Sequence, residues 1–184
     1  MAPLAKAPVR LESGGAVASL LPDGRRLHLQ HGPIDLVIEA VGRAEEVALA
    51  YGQACACFRD LLATLASELP LLRSPLGAGF PRAAGPVAQR MVRACWPYRS
   101  GLITPMAAVA GAVADEVLAA LVAGRSLVRA YVNDGGDIAF HLAPGEVLRA
   151  GVVADLASAS LCGTLELTAA MPVRGLATSG RATK

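Results

Sequence analysis

The 184-residue chain predicts an α+β fold, a mostly antiparallel sheet packed in two layers against helices. Short runs of branched or alternating residues lie at both ends of the chain. Apolar residues at helical spacing fill the middle, and Pro or Gly marks each change of period. One domain spans residues 1–184, with a helical layer over about 44–123.

The elements follow in order. Residues 16–21, 27–29 and 34–38 alternate or run apolar, and Pro22-Asp23-Gly24 supplies the first hairpin turn. From Ala44 the period becomes helical: Val47, Leu49, Ala50, Ala54, Phe58, Leu61, Leu62 and Leu65 recur at helical spacing, with Glu45 and Glu46 at the positive end of the helix dipole. Pro70 is expected to end that helix. Residues 71–86 hold Pro75, Gly77, Gly79, Pro81, Gly85 and Pro86, and read as a long loop able to cover a ligand. A short helix is expected over 87–96, closed by Pro97. Thr104-Pro105 then starts an alanine-rich helix that Gly124 stops. Strands return at 127–132, 137–142, 148–153, 164–169 and 175–177.

Composition excludes several function classes. Hydrophobic residues make up 54% and charged residues 17%, below the ~25% charge typical of soluble domains, so the chain buries a real core and suits a homo-oligomer. A net charge of +2 with few aromatics argues against nucleic acid as a partner. The first fifteen residues lack the apolar core of a signal peptide, and the apolar run at 106–114 meets Asp115 and Glu116 too soon to span a bilayer. A cytoplasmic location without membrane contact is the expectation. Cys55, Cys57, Cys95 and Cys162 form no C-x-x-C pair and read as buried, reduced thiols. His28, His31 and His141 lack metal-ligand spacing, and no nucleophile motif occurs.

Two small turns carry the chemistry. Asn133-Asp134-Gly135-Gly136-Asp137 and Ala177-Thr178-Ser179-Gly180 each follow an expected strand. Glycine pairs let a backbone approach a ligand, and consecutive N–H groups form an anion-binding hollow. The same residues also suit an ordinary hairpin turn. The first is not a dinucleotide fingerprint, since the chain returns to a strand, and no Gly-Lys-Ser/Thr follows for a P-loop. Asp115 and Glu116 interrupt an apolar helix, as a solvated edge or as carboxylates facing a cleft.

Four blocks resemble a known family: His31-Gly32-Pro33-Ile34-Asp35-Leu36, Thr104-Pro105-Met106-Ala107-Ala108-Val109-Ala110-Gly111-Ala112, residues 133–139 and residues 175–181. They resemble an ApbE-like family, a distant branch of the superfamily of FAD:protein FMN transferases. The resemblance implies an α+β fold with FAD in a cleft, and Mg²⁺ assisting pyrophosphate cleavage and FMN transfer to a Thr or Ser. It implies ligand contact at Gly135, Gly136, Thr178 and Ser179, and metal contact at Ala114. Beside these, the residues themselves add Asn133, Asp137 and Gly180 as ligand candidates and Asp115 as a metal candidate. The transferases carry Lys-Gly where this chain has Asp115-Glu116, and a later metal-binding segment beyond the position of Lys184, so the chain reads as C-terminally shortened. Carboxylates facing pyrophosphate need a cation between them, for which Asp115, Glu116 and Asp137 are the candidates.

The expected function is binding of a phosphate-bearing ligand, a flavin nucleotide (FAD or FMN) with Mg²⁺, with FAD cleavage or FMN transfer as the implied chemistry. Two alternatives stand beside it: a non-catalytic ligand-binding or interaction protein on the same fold, and a cofactor-biosynthesis enzyme acting on another phosphorylated or pterin-like compound.

Overall fold

The computed structural model describes residues 9–10, 15–153 and 160–178. Seven strands form one antiparallel sheet in the order β1-β2-β3-β4-β5-β6-β9. They are β1 Val9–Arg10, β2 Val17–Leu20, β3 Leu27–His31, β4 Ile34–Gly42, β5 Leu127–Asp134, β6 Asp137–Leu142 and β9 Gly175–Leu176. A separate hairpin pairs β7 Val147–Val153 with β8 Leu161–Thr168. The α+β reading is what the structure shows.

Alternation along the strands separates two faces. Leu29, Leu36, Ile38, Ala130, Val132 and Ala139 point to one side and are buried. Helices α1 Ala44–Arg59 and α5 Val109–Val122 cover that side, with Phe58, Val113, Val117 and Leu121 fully buried against the sheet. The whole helical segment sits between β4 and β5, which nonetheless pair directly, so the sheet closes beneath it. Polar ties hold the layers in register. Gln53 Nε2 donates to the carbonyls of Ala120 and Ala123 at the end of α5, groups that have no partner within their own helix. Glu46 accepts from the Ser126 N–H at the start of β5.

Several expectations about the helices need correcting. Pro70 does not end a long helix. That helix breaks at Asp60 into α1 and α2 Leu61–Ser67, and Pro70 occupies the first turn of a further helix, α3 Leu69–Arg73, where its missing N–H is no loss. The segment that follows is no free cover. Leu76 is buried and its N–H donates to Ile103, while Glu68 accepts from the N–H groups of Ala84 and Gly85 at the start of α4 Pro86–Cys95. Phe80 packs edge-on to Trp96, with ring centroids 4.9 Å apart.

The apolar helix has the expected bounds, but Asp115 and Glu116 do not cut its apolar character short. A 3₁₀ turn at Pro105–Ala108 continues into α5, and Pro105–Val122 is long and apolar enough by length and composition to cross a membrane. Its buried residues face the sheet, as a core helix requires. Among the cysteines, Cys95 is buried, Cys55 and Cys57 are half-buried, and Cys162 is exposed on β8, contrary to the expectation that all are core thiols.

Phe58 touches both the sheet and the ring of His31, at 6.3 Å between centroids. Phe58→Ala is expected to cost about 3–5 kcal/mol of stability. Denaturant unfolding measures it, and a loss below about 1 kcal/mol would contradict this placement of the core.

Candidate functional site

The expected turns do meet. Gly135 and Gly136 form the two-residue connection between β5 and β6, at φ +59° and +109°. Successive positive φ values are what a tight hairpin turn of this hand demands, and glycine supplies them without strain. Thr178 lies against this turn: its N–H donates to the Gly136 carbonyl at 3.2 Å and its hydroxyl to the same oxygen at 3.3 Å. Asn133 Oδ1 accepts from the Gly136 N–H at 2.9 Å. The contact is so close that a Cβ on Gly136 would sit 2.2 Å from Thr178 Oγ1. Donors proposed for phosphate at Gly136 and Thr178 thus bond within the turn pair. Ser179 and Gly180 lie outside the described residues.

Below this junction the sheet and helices leave an open cleft of about 380 Å³. Its charged lining is Arg90 from α4, Asp115 from α5 and Asp137 from β6, over a floor of Gly111, Ala112, Ala139 and Gly175. Helix α5 passes the β6 strand here, and a Cβ on Gly111 would make ordinary contact with Asp137 Oδ2 at 3.8 Å. Asp115 is placed in the cleft. Ala114, one residue earlier, is fully buried in mid-helix, where a carbonyl normally accepts from the N–H four residues on. Glu116 turns aside to bind Arg90 at 2.8 Å.

Electrostatics single out a residue that the sequence reading passed over. Asp134 stands directly opposite Asp137 across the first pair of the β5–β6 ladder. Burial, reinforced by the negative charge of Asp137, pushes the Asp134 carboxyl up to about 6, against a backbone hydrogen bond from Asp35 that favours ionisation. Burial likewise raises Asp115 above the ordinary carboxylate range, opposed by the charge of Arg90 and reinforced by that of Glu116. Alternation from Val132 would have placed Asp134 on the helix-facing side, and that was the available signal. Arg90 gave none: it is one arginine among several on a helix.

The structure therefore defines an α+β domain with a small, acidic cleft between its helical layer and the β6–β9 edge. The model of the family AbpE bacteria matches residues 18–183, and the chain belongs to that family. This overturns the resemblance to the ApbE-like branch: AbpE is a distinct family, and nothing in the match links the chain to the FAD:protein FMN transferases. The reading of a shortened C-terminus rested on that likeness and goes with it. No curated protein matches the chain.

Ionisation of Asp134 is harder in the folded chain than in the unfolded one. Stability is therefore lost as pH rises from 3.8 through about 6, with little further change above. Asp134→Asn is expected to stabilise the fold by about 1 kcal/mol at neutral pH, after discounting for solvent access, and to make no difference near pH 4. Melting temperatures at the two pH values measure this, and equal effects at both would contradict it.

Proposed function

We propose that the cleft binds a small phosphate-bearing ligand together with a divalent cation. The observation that carries the reading is the convergence of Asp115, Asp137 and Arg90, from three elements, on one cleft floored by small residues. Bare carboxylates repel phosphate, whereas an ion such as Mg²⁺ takes carboxylate and phosphate oxygens together. The donor set suits that shared mode. Asp115 and Asp137 offer hard oxygens, and among the described residues no group of three or more His, Cys, Asp or Glu could form a protein-only cage. Asp115 and Asp137 would hold such an ion, which would supply the positive charge that phosphate needs there, while Arg90, paired with Glu116, lines the same cleft.

A flavin nucleotide is the ligand proposed first, and another phosphorylated or pterin-like compound is its competitor. With the transferase likeness overturned, the phosphate group rests on the cleft's charges, and the flavin ring is the part that experiment decides. Equilibrium dialysis with FMN and FAD, with and without Mg²⁺, is the test. Binding is expected only with the metal and about tenfold weaker in Asp115→Asn and Asp137→Asn. Binding indifferent to Mg²⁺ and to both substitutions would contradict the site. Chromatography of the dialysed FAD then separates the enzyme from the binding module: FMN and AMP signify turnover, intact FAD binding alone.

A specific observation favours a second reading, an interaction protein that self-associates. One face of the β7–β8 hairpin is apolar. Its base, Leu148 and Leu167, packs on Phe140 and Leu142, while Val152 and Leu165 on the same face remain exposed; beyond the bulge Leu161 lies against Gly151 on the other face. A lone two-stranded hairpin is marginal in water, and an uncovered edge strand is a template for pairing. Light scattering is expected to give twice the 18.8 kDa chain mass, falling to the monomer in Val152→Lys/Leu165→Lys with the circular dichroism of the parent chain and a lower, no longer concentration-dependent melting temperature. A monomeric parent chain would contradict self-association.

A further inference from the structure

The sheet face turned away from the helices holds a cavity of about 520 Å³, larger than the cleft and separate from it. Its floor is the outer side of β4 and β5, through Glu39, Val41, Arg129 and Tyr131, and its far wall is the turn leading into β7, through Glu146 and Leu148. A volume of this order is typical of small-molecule sites.

Most charges around it already have partners. Glu39 is paired with Arg25, and Arg149 with Glu166 at 3.0 Å. The Tyr131 hydroxyl interacts with Glu39 and Arg26. Arg129 and Glu146 are the exceptions. Neither side chain has an ion-pair or hydrogen-bond partner among the described residues, although both line the same cavity. Val41, Val147 and Leu148 put apolar surface between and beside them. Arg129 is exposed and Glu146 half-buried, so water solvates both charges. A hollow with one cation and one anion free of protein partners beside apolar walls is complementary to a small molecule with the reverse charges on an apolar body.

We propose that this cavity is a binding site for a small zwitterion, an apolar amino acid or short peptide. Its carboxylate is held by the Arg129 guanidinium and its ammonium by the Glu146 carboxylate. Arginine suits the first role because its planar fork meets both carboxylate oxygens. Glutamate suits the second because an ammonium offers donors only. The apolar body lies against Val41, Val147 and Leu148. This site is independent of the phosphate-binding reading, since it lies on the opposite face of the sheet and shares no residue with the cleft.

Isothermal titration with three matched probes tests the proposal: L-phenylalanine, 3-phenylpropionate without the ammonium, and phenethylamine without the carboxylate. The dipeptide alanyl-phenylalanine, with its charges further apart, distinguishes a peptide from a free amino acid. One zwitterion is expected to bind at least about tenfold tighter than either singly charged probe, each charge-assisted bond being worth about that factor. Arg129→Gln is expected to remove the advantage over phenethylamine, and Glu146→Gln the advantage over phenylpropionate. Zwitterions that bind no better than the singly charged probes would overturn the proposal, because Arg129 and Glu146 would then be satisfying each other. So would heats unaltered in both variants. The probe series on the unaltered chain keeps the test decisive even if a variant misfolds.

Discussion

The close seating of α5 on β5 and β6 is the constraint on which the rest depends. Ala112, Val113, Ala114 and Val117 meet Ala130, Val132 and Ala139 with no large side chain between them. Small residues on both surfaces bring backbones together, and Gly111 lies beside Asp137 where the helix passes β6. That approach places Asp115 and Asp137 on one cleft. Bulkier residues at the contact would lift the helix, as overpacked cores move backbone to relieve strain.

The same packing creates an electrostatic cost at one end of the sheet. The β5–β6 turn sets Asp134 opposite Asp137, and burial restricts the water around Asp134. A carboxyl raised to about 6 is held there by the fold and ionises more readily if a cation arrives. The two glycine-bearing elements nearby have a different task. Gly135 and Gly136 turn the chain, and the carbonyl of Gly136 anchors Thr178. On the opposite face the sheet carries paired charges, broken at Arg129 and Glu146 where the hairpin arches over it.

Much of this was legible in the residues. Alternation and helical spacing gave the order of strands and helices, because each element buries only one face. Asp115 and Asp137 could be marked as cleft candidates, since acids interrupting an apolar helix or opening a strand are conspicuous. Hydrogen-bond direction could not be read: Gly136 and Thr178 looked like phosphate donors but bond to their own neighbourhood. Pro70 misled because proline serves a first helical turn as well as it breaks a helix. Arg90 and Asp134 matter through tertiary neighbours on other elements, which no local pattern announces. The four-block likeness misled in another way: short glycine-bearing and alanine-rich blocks do not by themselves specify a family, and the one that matches is distinct.

The most direct test of the cation-bridged cleft is a carboxyl-detected NMR titration of Asp134, free and then with saturating Mg²⁺ and FMN. The account predicts an apparent pKa near 6 in the free chain, falling toward the ordinary 3.8 when the ion neutralises the facing carboxylates. A carboxyl that titrates near 3.8 from the outset, or one near 6 that the metal and nucleotide leave unmoved, would contradict it.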